Sequence, residues 1–225
     1  MWALMLGMVS VTSAQAAEIR FGNIVPGAGV IERSVVSMRG ARYTDMVRQH
    51  TDYSCGAASL ATILKYAYGR DVTEQEILRG MLSVSDPALV RRKGFSLLDI
   101  KHYVETLGMQ GVGYQVPPQM LRQVQVPTIV LLNIKGYEHF VVLKKVVGDQ
   151  AYVADPALGN RIIPLKNFVQ GWNKVIFAVI GQGYDKNTVL LKALPPLSAR
   201  RLLAVMAPAG QVQFVDYGYI STGLF

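Results

Sequence analysis

The hydrophobic period of this 225-residue chain changes near Pro127, and that change restricts its folding more than any single residue does. Ahead of Pro127 the apolar residues recur at helical spacing. Ser54 to Tyr68 is rich in Ala and Leu and is stopped by Gly69. Thr73 with Glu76 forms a capping-box pattern for a helix through Met81, and Ser96 with Asp99 another that opens LLDIKHYVETL before Gly108. Beyond Pro127 the runs TIVLLNI, EHFVVLKKVV, AYVAD and KVIFAVI are short, rich in β-branched residues and divided by Gly, Pro or Asp. An N-terminal stretch around VIERSVVSM also alternates like a strand. Helices followed by an antiparallel sheet predict an α+β fold.

Residues 1–16, MWALMLGMVSVTSAQA, carry no charge and place an apolar segment from Trp2 to about Val11 before Ala14-Gln15-Ala16. That order is an h-region followed by an A-x-A cleavage site, although the positive n-region is missing. The expectation is a signal peptide over 1–16 and a mature chain that starts at Ala17; a buried N-terminal helix is the alternative. The apolar run falls well short of the ~20 residues that span a bilayer. What remains reads as a soluble exported protein of one domain with extensions.

Cys55 is the only cysteine, so a disulfide framework and a cysteine-rich zinc site are both excluded. A free cysteine is often a small apolar filler. In an exported chain, however, an unpaired thiol also signals reactivity or intermolecular pairing. Lys and Arg outnumber Asp and Glu by 23 to 15, a net charge of +8, but the charges are scattered, with short clusters at Arg91-Arg92-Lys93, Lys144-Lys145 and Arg200-Arg201. No arginine-rich arm or aromatic RNA-binding motif accompanies them, which argues against nucleic acid as a partner. A basic surface would favour encounter with an acidic polypeptide or an anionic membrane surface.

Cys55 falls in the first turn of a predicted helix, where the helix's positive end and free N–H groups favour negative charge at sulfur. A nucleophilic thiol also needs a base, and the base needs a group to orient it. Only three histidines are present. His50 stands close to Cys55 in a loop and reads as solvated, and His102 sits on a helix surface. His139 begins the strand HFVVLKKVV, and 16 residues later AYVAD ends in Asp155, where a carboxylate on the next strand can reach the imidazole. Gln49, six residues before Cys55, carries an amide able to donate to an oxyanion beside the Cys55 N–H.

The segments QHTDYSCGAASLATIL, GYEHFVVLKKV and YVADPALG resemble, in order and spacing, the bacteriocin-processing double-glycine cysteine peptidases, over roughly Arg48 to Gly181. The resemblance implies a papain-like domain over 48–182, an N-terminal extension over 17–47 and a C-terminal extension over 183–225. It implies Cys55 as nucleophile, His139 as general base and acid, Asp155 as its orienter and Gln49 as oxyanion donor, with no cofactor or metal. It further implies cleavage after a small pair such as Gly-Gly, with Gly136, Tyr137 and Gly56 as subsite candidates by proximity to the motifs.

Two departures stand out. Ser54 and Ser59 replace an acidic residue and a cysteine common in the family, and no transporter bundle or G-x-x-x-x-G-K-[ST] nucleotide loop appears in this chain. It looks instead like a free-standing relative of the peptidases of bacterial functional-amyloid secretion, which implies a periplasmic enzyme acting on an amyloid or export-pathway polypeptide. The rival readings are a catalytically silent peptide-binding or chaperone module, and another thiol hydrolase such as a cell-wall amidase or acyl transferase. In the tail, SARRLLAVM reads as a short amphipathic helix and QVQFVDYGYISTGLF as a strand, with packing on the domain or contact with a partner or membrane surface as the expected roles.

Overall fold

A computed structural model describes residues 16–21, 31–134 and 136–193. Strands β1 (Ala16–Phe21) and β2 (Ile31–Val36) pair antiparallel as a separate two-stranded sheet and lead into the short helix α1 (Met38–Ala41). The helical half follows as α2 (Cys55–Tyr68), α3 (Glu74–Val84), α4 (Pro87–Lys93) and α5 (Leu97–Thr106). The strands of the second half are β3 (Gln110–Gln115), β4 (Thr128–Ile134), β5 (Tyr137–Val147), β6 (Gln150–Asp155), β7 (Gly159–Pro164) and β8 (Trp172–Ile180), with α6 (Leu165–Gly171) between β7 and β8. They form one sheet in the order β3-β8-β4-β5-β6-β7, with every pair antiparallel. The α+β expectation holds. The tail readings, from residue 194 on, lie outside the described residues, as do residues 1–15 of the expected signal peptide.

Local chemistry accounts for the helix boundaries. Both expected capping boxes form, Thr73 with Glu76 and Ser96 with Asp99. Gly69 ends α2 in the left-handed region at φ 63°, a conformation glycine adopts without a Cβ penalty. Helix α4 escapes the periodicity because it spans only seven residues; Asp86 caps it by accepting from the Ala88 and Leu89 N–H groups, and Pro87 opens it. Strand β3, QGVGYQ, carries two glycines and little β-propensity, and it forms through its ladder with β8.

The central strands are buried on both faces. Ile129, Phe140, Val142 and Phe177 pack with Leu60, Ile63 and Leu64 of α2 and with Ile77, Met81, Ile100 and Val104 from α3 and α5. Their neighbours Val130, Leu132, Val141, Leu143 and Val153 turn the other way, onto Phe168, Trp172 and Leu121. Full burial of such side chains contributes ~1.5–3 kcal/mol each. Helix α2 is sealed into the interior along most of its length, which holds its N-terminus still against the sheet.

Candidate active site

Cys55 is the first residue of α2 and is 8% exposed. The first intrahelical bond runs from Ala58 N–H to Ser54 O, so the N–H groups of Cys55, Gly56 and Ala57 precede the helical ladder. Ser54, one of the two departures in the sequence, closes the turn before the helix: its hydroxyl donates to Thr51 O at 2.8 Å and accepts from Thr51 N–H at 3.3 Å. Ser59, the other departure, donates to Phe140 O from a buried position. Both hydroxyls are thus hydrogen-bonded, the first within its own turn and the second across to β5.

The ladder between β5 and β6 begins at Val142↔Ala154, so His139 and Asp155 stand beyond its last rung. They meet across that end, with His139 Nε2 donating to Asp155 Oδ1 at 2.9 Å, both residues being at least 96% buried. Oδ1 also accepts from the N–H groups of Ala157 and Leu158, each at 3.0 Å, and Oδ2 accepts from Arg161 Nη1 at 3.2 Å. The carboxylate is therefore locked in place by its own turn. Because Nε2 is taken by Asp155, Nδ1 is left for the thiol, and it has no nitrogen or oxygen partner. Tyr137 stacks on the imidazole, ring centroids 6.0 Å apart, and anchors itself by donating to Asp52 O at 3.1 Å.

Burial disfavours a charged imidazole, but the hydrogen bond to Asp155 and the interaction with Cys55 outweigh it and raise the His139 pKa from 6.5 to about 9. For Asp155, burial pushes the other way, yet the bonds from His139 and from the Leu158 and Ala157 N–H groups hold its pKa below the usual carboxylate value. A histidine raised on folding contributes stability that is full below pH 6.5 and is lost as pH rises through about 9. An NMR titration of His139 in the folded protein should accordingly show a midpoint near 9, with thermal stability declining between pH 6.5 and 9. A midpoint at or below 6.5 would contradict this electrostatic arrangement.

Gln49 is half-buried in the loop before α2. Its backbone N–H donates to Pro156 O at 3.0 Å, which ties it to the turn after Asp155. Its side-chain Nε2 donates to Thr51 O at 3.2 Å, and Oε1 is buried without a partner. The segment before it is clamped onto the same turn: Asn160 donates from its backbone to Arg42 O and from its side chain to Arg42 O and Thr44 O. Gly159, at φ 89°, allows that approach, since a Cβ there would stand 2.7 Å from Arg42 O.

The remaining sequence expectations divide. His102 is exposed on α5, as expected. His50 is not merely solvated, because its ring is held by the buried Glu74. Among the subsite candidates only Tyr137 lines the cleft at Cys55. Gly56 is buried, and a Cβ on it would meet Phe140 and Ile100 at 3.3 and 3.4 Å, so it serves the packing of α2 on β5; Gly136 lies in a turn at φ 88° with open space around it. The cleft itself, of about 590 Å³, runs from Cys55, Tyr53 and Tyr137 to Leu89, Arg92, Lys93 and Phe95 around the end of α4. That wall escapes the sequence reading because α4 does; its signals are Asp86-Pro87 at its start and the cluster Arg91-Arg92-Lys93 at its end.

A helix-start cysteine beside a charged, carboxylate-held imidazole at a peptide-sized cleft is equipped for acyl transfer to sulfur. A model of the peptidase C39 family matches residues 43–182. The chain belongs to the peptidase C39 family. It is a cysteine peptidase, and its C39 domain has the papain-like arrangement of helices and antiparallel sheet. It is 46% identical over 221 residues to "Probable functional amyloid protease FapD" of Pseudomonas aeruginosa, covering 98% of this chain and 97% of that one. The protein of the same description from Pseudomonas fluorescens is 44% identical over 201 residues, 89% of each chain. Among solved structures, a double glycine motif protease from an AMS/PCAT transporter in complex with the leader peptide matches with a TM-score of 0.52 and 30% identity, covering 61% of this chain and 91% of that one. Among the described residues of this C39 chain, no helix is long and apolar enough to cross a membrane.

Proposed function

We propose that this C39 peptidase is an exported endopeptidase that cuts a polypeptide of a functional-amyloid or related secretion system, after small residues such as Gly-Gly. The observation that carries the mechanistic part is the His139–Asp155 pair set against the only cysteine of the chain. Cys55 attacks the scissile carbonyl as thiolate. The Gln49 amide and the Cys55 N–H receive the oxyanion of the tetrahedral intermediate. Imidazolium His139, held by Asp155, gives its proton to the leaving amine, which leaves an acyl-enzyme; His139 then deprotonates water, whose attack releases the acid and the thiol.

Extensive identity to the two proteins described as probable functional amyloid proteases supports the substrate class. A small pair at the cut suits a nucleophile that is 92% buried, because glycine lets a backbone approach where a side chain would not fit. The compartment follows from residues 1–16 read as a signal peptide, which leaves Ala17 to Phe21 of β1 in the mature periplasmic chain; the domain limits are proposed as 17–47, 48–182 and 183–225.

Incubation of the purified protein with candidate amyloid-system polypeptides bearing Gly-Gly, and in parallel with peptidoglycan, followed by mass analysis, tests the reading. New polypeptide termini after Gly-Gly are expected. Products from peptidoglycan alone would replace the peptidase assignment of the substrate with a cell-wall one. N-terminal sequencing of protein from the periplasmic fraction should begin at Ala17; intact Met1 in the cytoplasm would remove the export reading.

A further inference from the structure

Three backbone hydrogen bonds hold the chain from Val47 to His50, and each goes to a different element. Val47 N–H donates to Thr62 Oγ1 on α2 at 3.0 Å, Gln49 N–H to Pro156 O after β6 at 3.0 Å, and His50 N–H to Glu74 Oε1 on α3 at 2.9 Å. The third acceptor is a carboxylate that is only 3% exposed. Its other oxygen, Oε2, accepts from His50 Nδ1 at 2.6 Å, although that imidazole side chain is 63% exposed. Both oxygens of a buried acid are thus spent on a single residue, the neighbour of Gln49.

Burying a carboxylate is costly unless donors compensate it. Helix capping does not explain the burial, because Thr73 and Glu76 already form the capping box of α3. What the carboxylate does accomplish is to grip residue 50 at backbone and side chain together. With Gln49 N–H fastened on the other side to the turn that follows Asp155, the backbone at Gln49 is held from both sides.

We propose that Glu74 is a positioning residue for the oxyanion donor, holding His50 and with it the backbone that presents the Gln49 amide, whose Nε2 donates to Thr51 O just ahead of α2. The proposal rests on the role assigned to Gln49 above. An oxyanion donor acts on the transition state more than on bound substrate, so its displacement lowers kcat and leaves KM nearly unchanged.

The test is a double-mutant cycle read with an internally quenched peptide containing a central Gly-Gly pair, with thermal midpoints recorded for each variant. Gln49→Ala should lower kcat by about 10²–10³-fold. Glu74→Ala should lower it by about 10²-fold, the typical cost of a misplacement near 1 Å, with KM unchanged. In the Gln49→Ala background, Glu74→Ala should cost nothing more. Glu74→Gln should restore most of the rate, since its amide oxygen can accept from His50 N–H while its NH2 donates to Nδ1 of the other imidazole tautomer. If Glu74→Ala does not fold, His50→Ala carries the test, with a loss in the parent that vanishes beside Gln49→Ala. A parent-like kcat in Glu74→Ala, a loss confined to KM, or equal losses with and without Gln49 would overturn the positioning role. A parent-like kcat in Gln49→Ala would instead overturn the assignment of Gln49, and the proposal with it.

Discussion

Cys55→Ala should leave the fold and substrate binding intact and abolish cleavage, with a fall in kcat of about 10⁶-fold, the scale seen when a hydrolase loses its nucleophile. The substitution removes one sulfur from a position with 8% exposure, so its packing cost is small beside that kinetic loss. No other thiol exists in the chain to form the acyl-enzyme. Retained helix content and a thermal midpoint close to the parent's would separate loss of chemistry from loss of structure. The variant should then hold its polypeptide substrate uncut, and pull-down with Cys55→Ala becomes a route to the physiological partner. Parent-rate processing by this variant would sink the thiol mechanism.

His139→Ala should be nearly as severe, about 10⁶-fold in kcat, because one imidazole serves as both base and acid. Asp155→Asn should be much milder, for a reason visible in the site. An imidazolium carries protons on both nitrogens, so an amide oxygen placed as Oδ1 can still accept from Nε2 and from the Ala157 and Leu158 N–H groups. The amide nitrogen would then face Arg161 Nη1 in place of Oδ2 and lose that contact. The charge that helps raise the His139 pKa to about 9 would also be lost, so the alkaline limb of the rate profile should move down. Steady-state kinetics across pH 6–10 on the three proteins reads this grading. Equal inactivation of His139→Ala and Asp155→Asn, with both folded, would contradict it.

The sequence carried the site pair well because the pattern around it is strong. Gly148-Asp149 marks a tight turn between two β-rich runs, and such a turn makes β5 and β6 neighbours, which brings His139 and Asp155 to one end of a ladder. Thr73 with Glu76, Ser96 with Asp99 and Gly69 were legible for a similar reason: each cap is chemistry within a few residues of the chain. Short elements without a period were not. Strand β7 starts at Gly159 and ends at Pro164, α4 has seven residues, and β3 contains two glycines, so each exists chiefly through what it packs or pairs with.

Sequence alone therefore determined the α+β order, the helix on which Cys55 stands and the hairpin that presents His139 with Asp155, since all three depend on contacts local in the chain. Only the tertiary structure decided that α4 walls the cleft, that Gly56 is a packing position and that His50, in a loop, is gripped by Glu74, 24 residues away on α3. The physical reason is the range of the interactions. Caps, turns and alternation are written within a few residues, whereas a buried carboxylate or a cleft wall is defined by groups that meet only after the helical layer closes on the sheet, and no periodicity records which of them will meet.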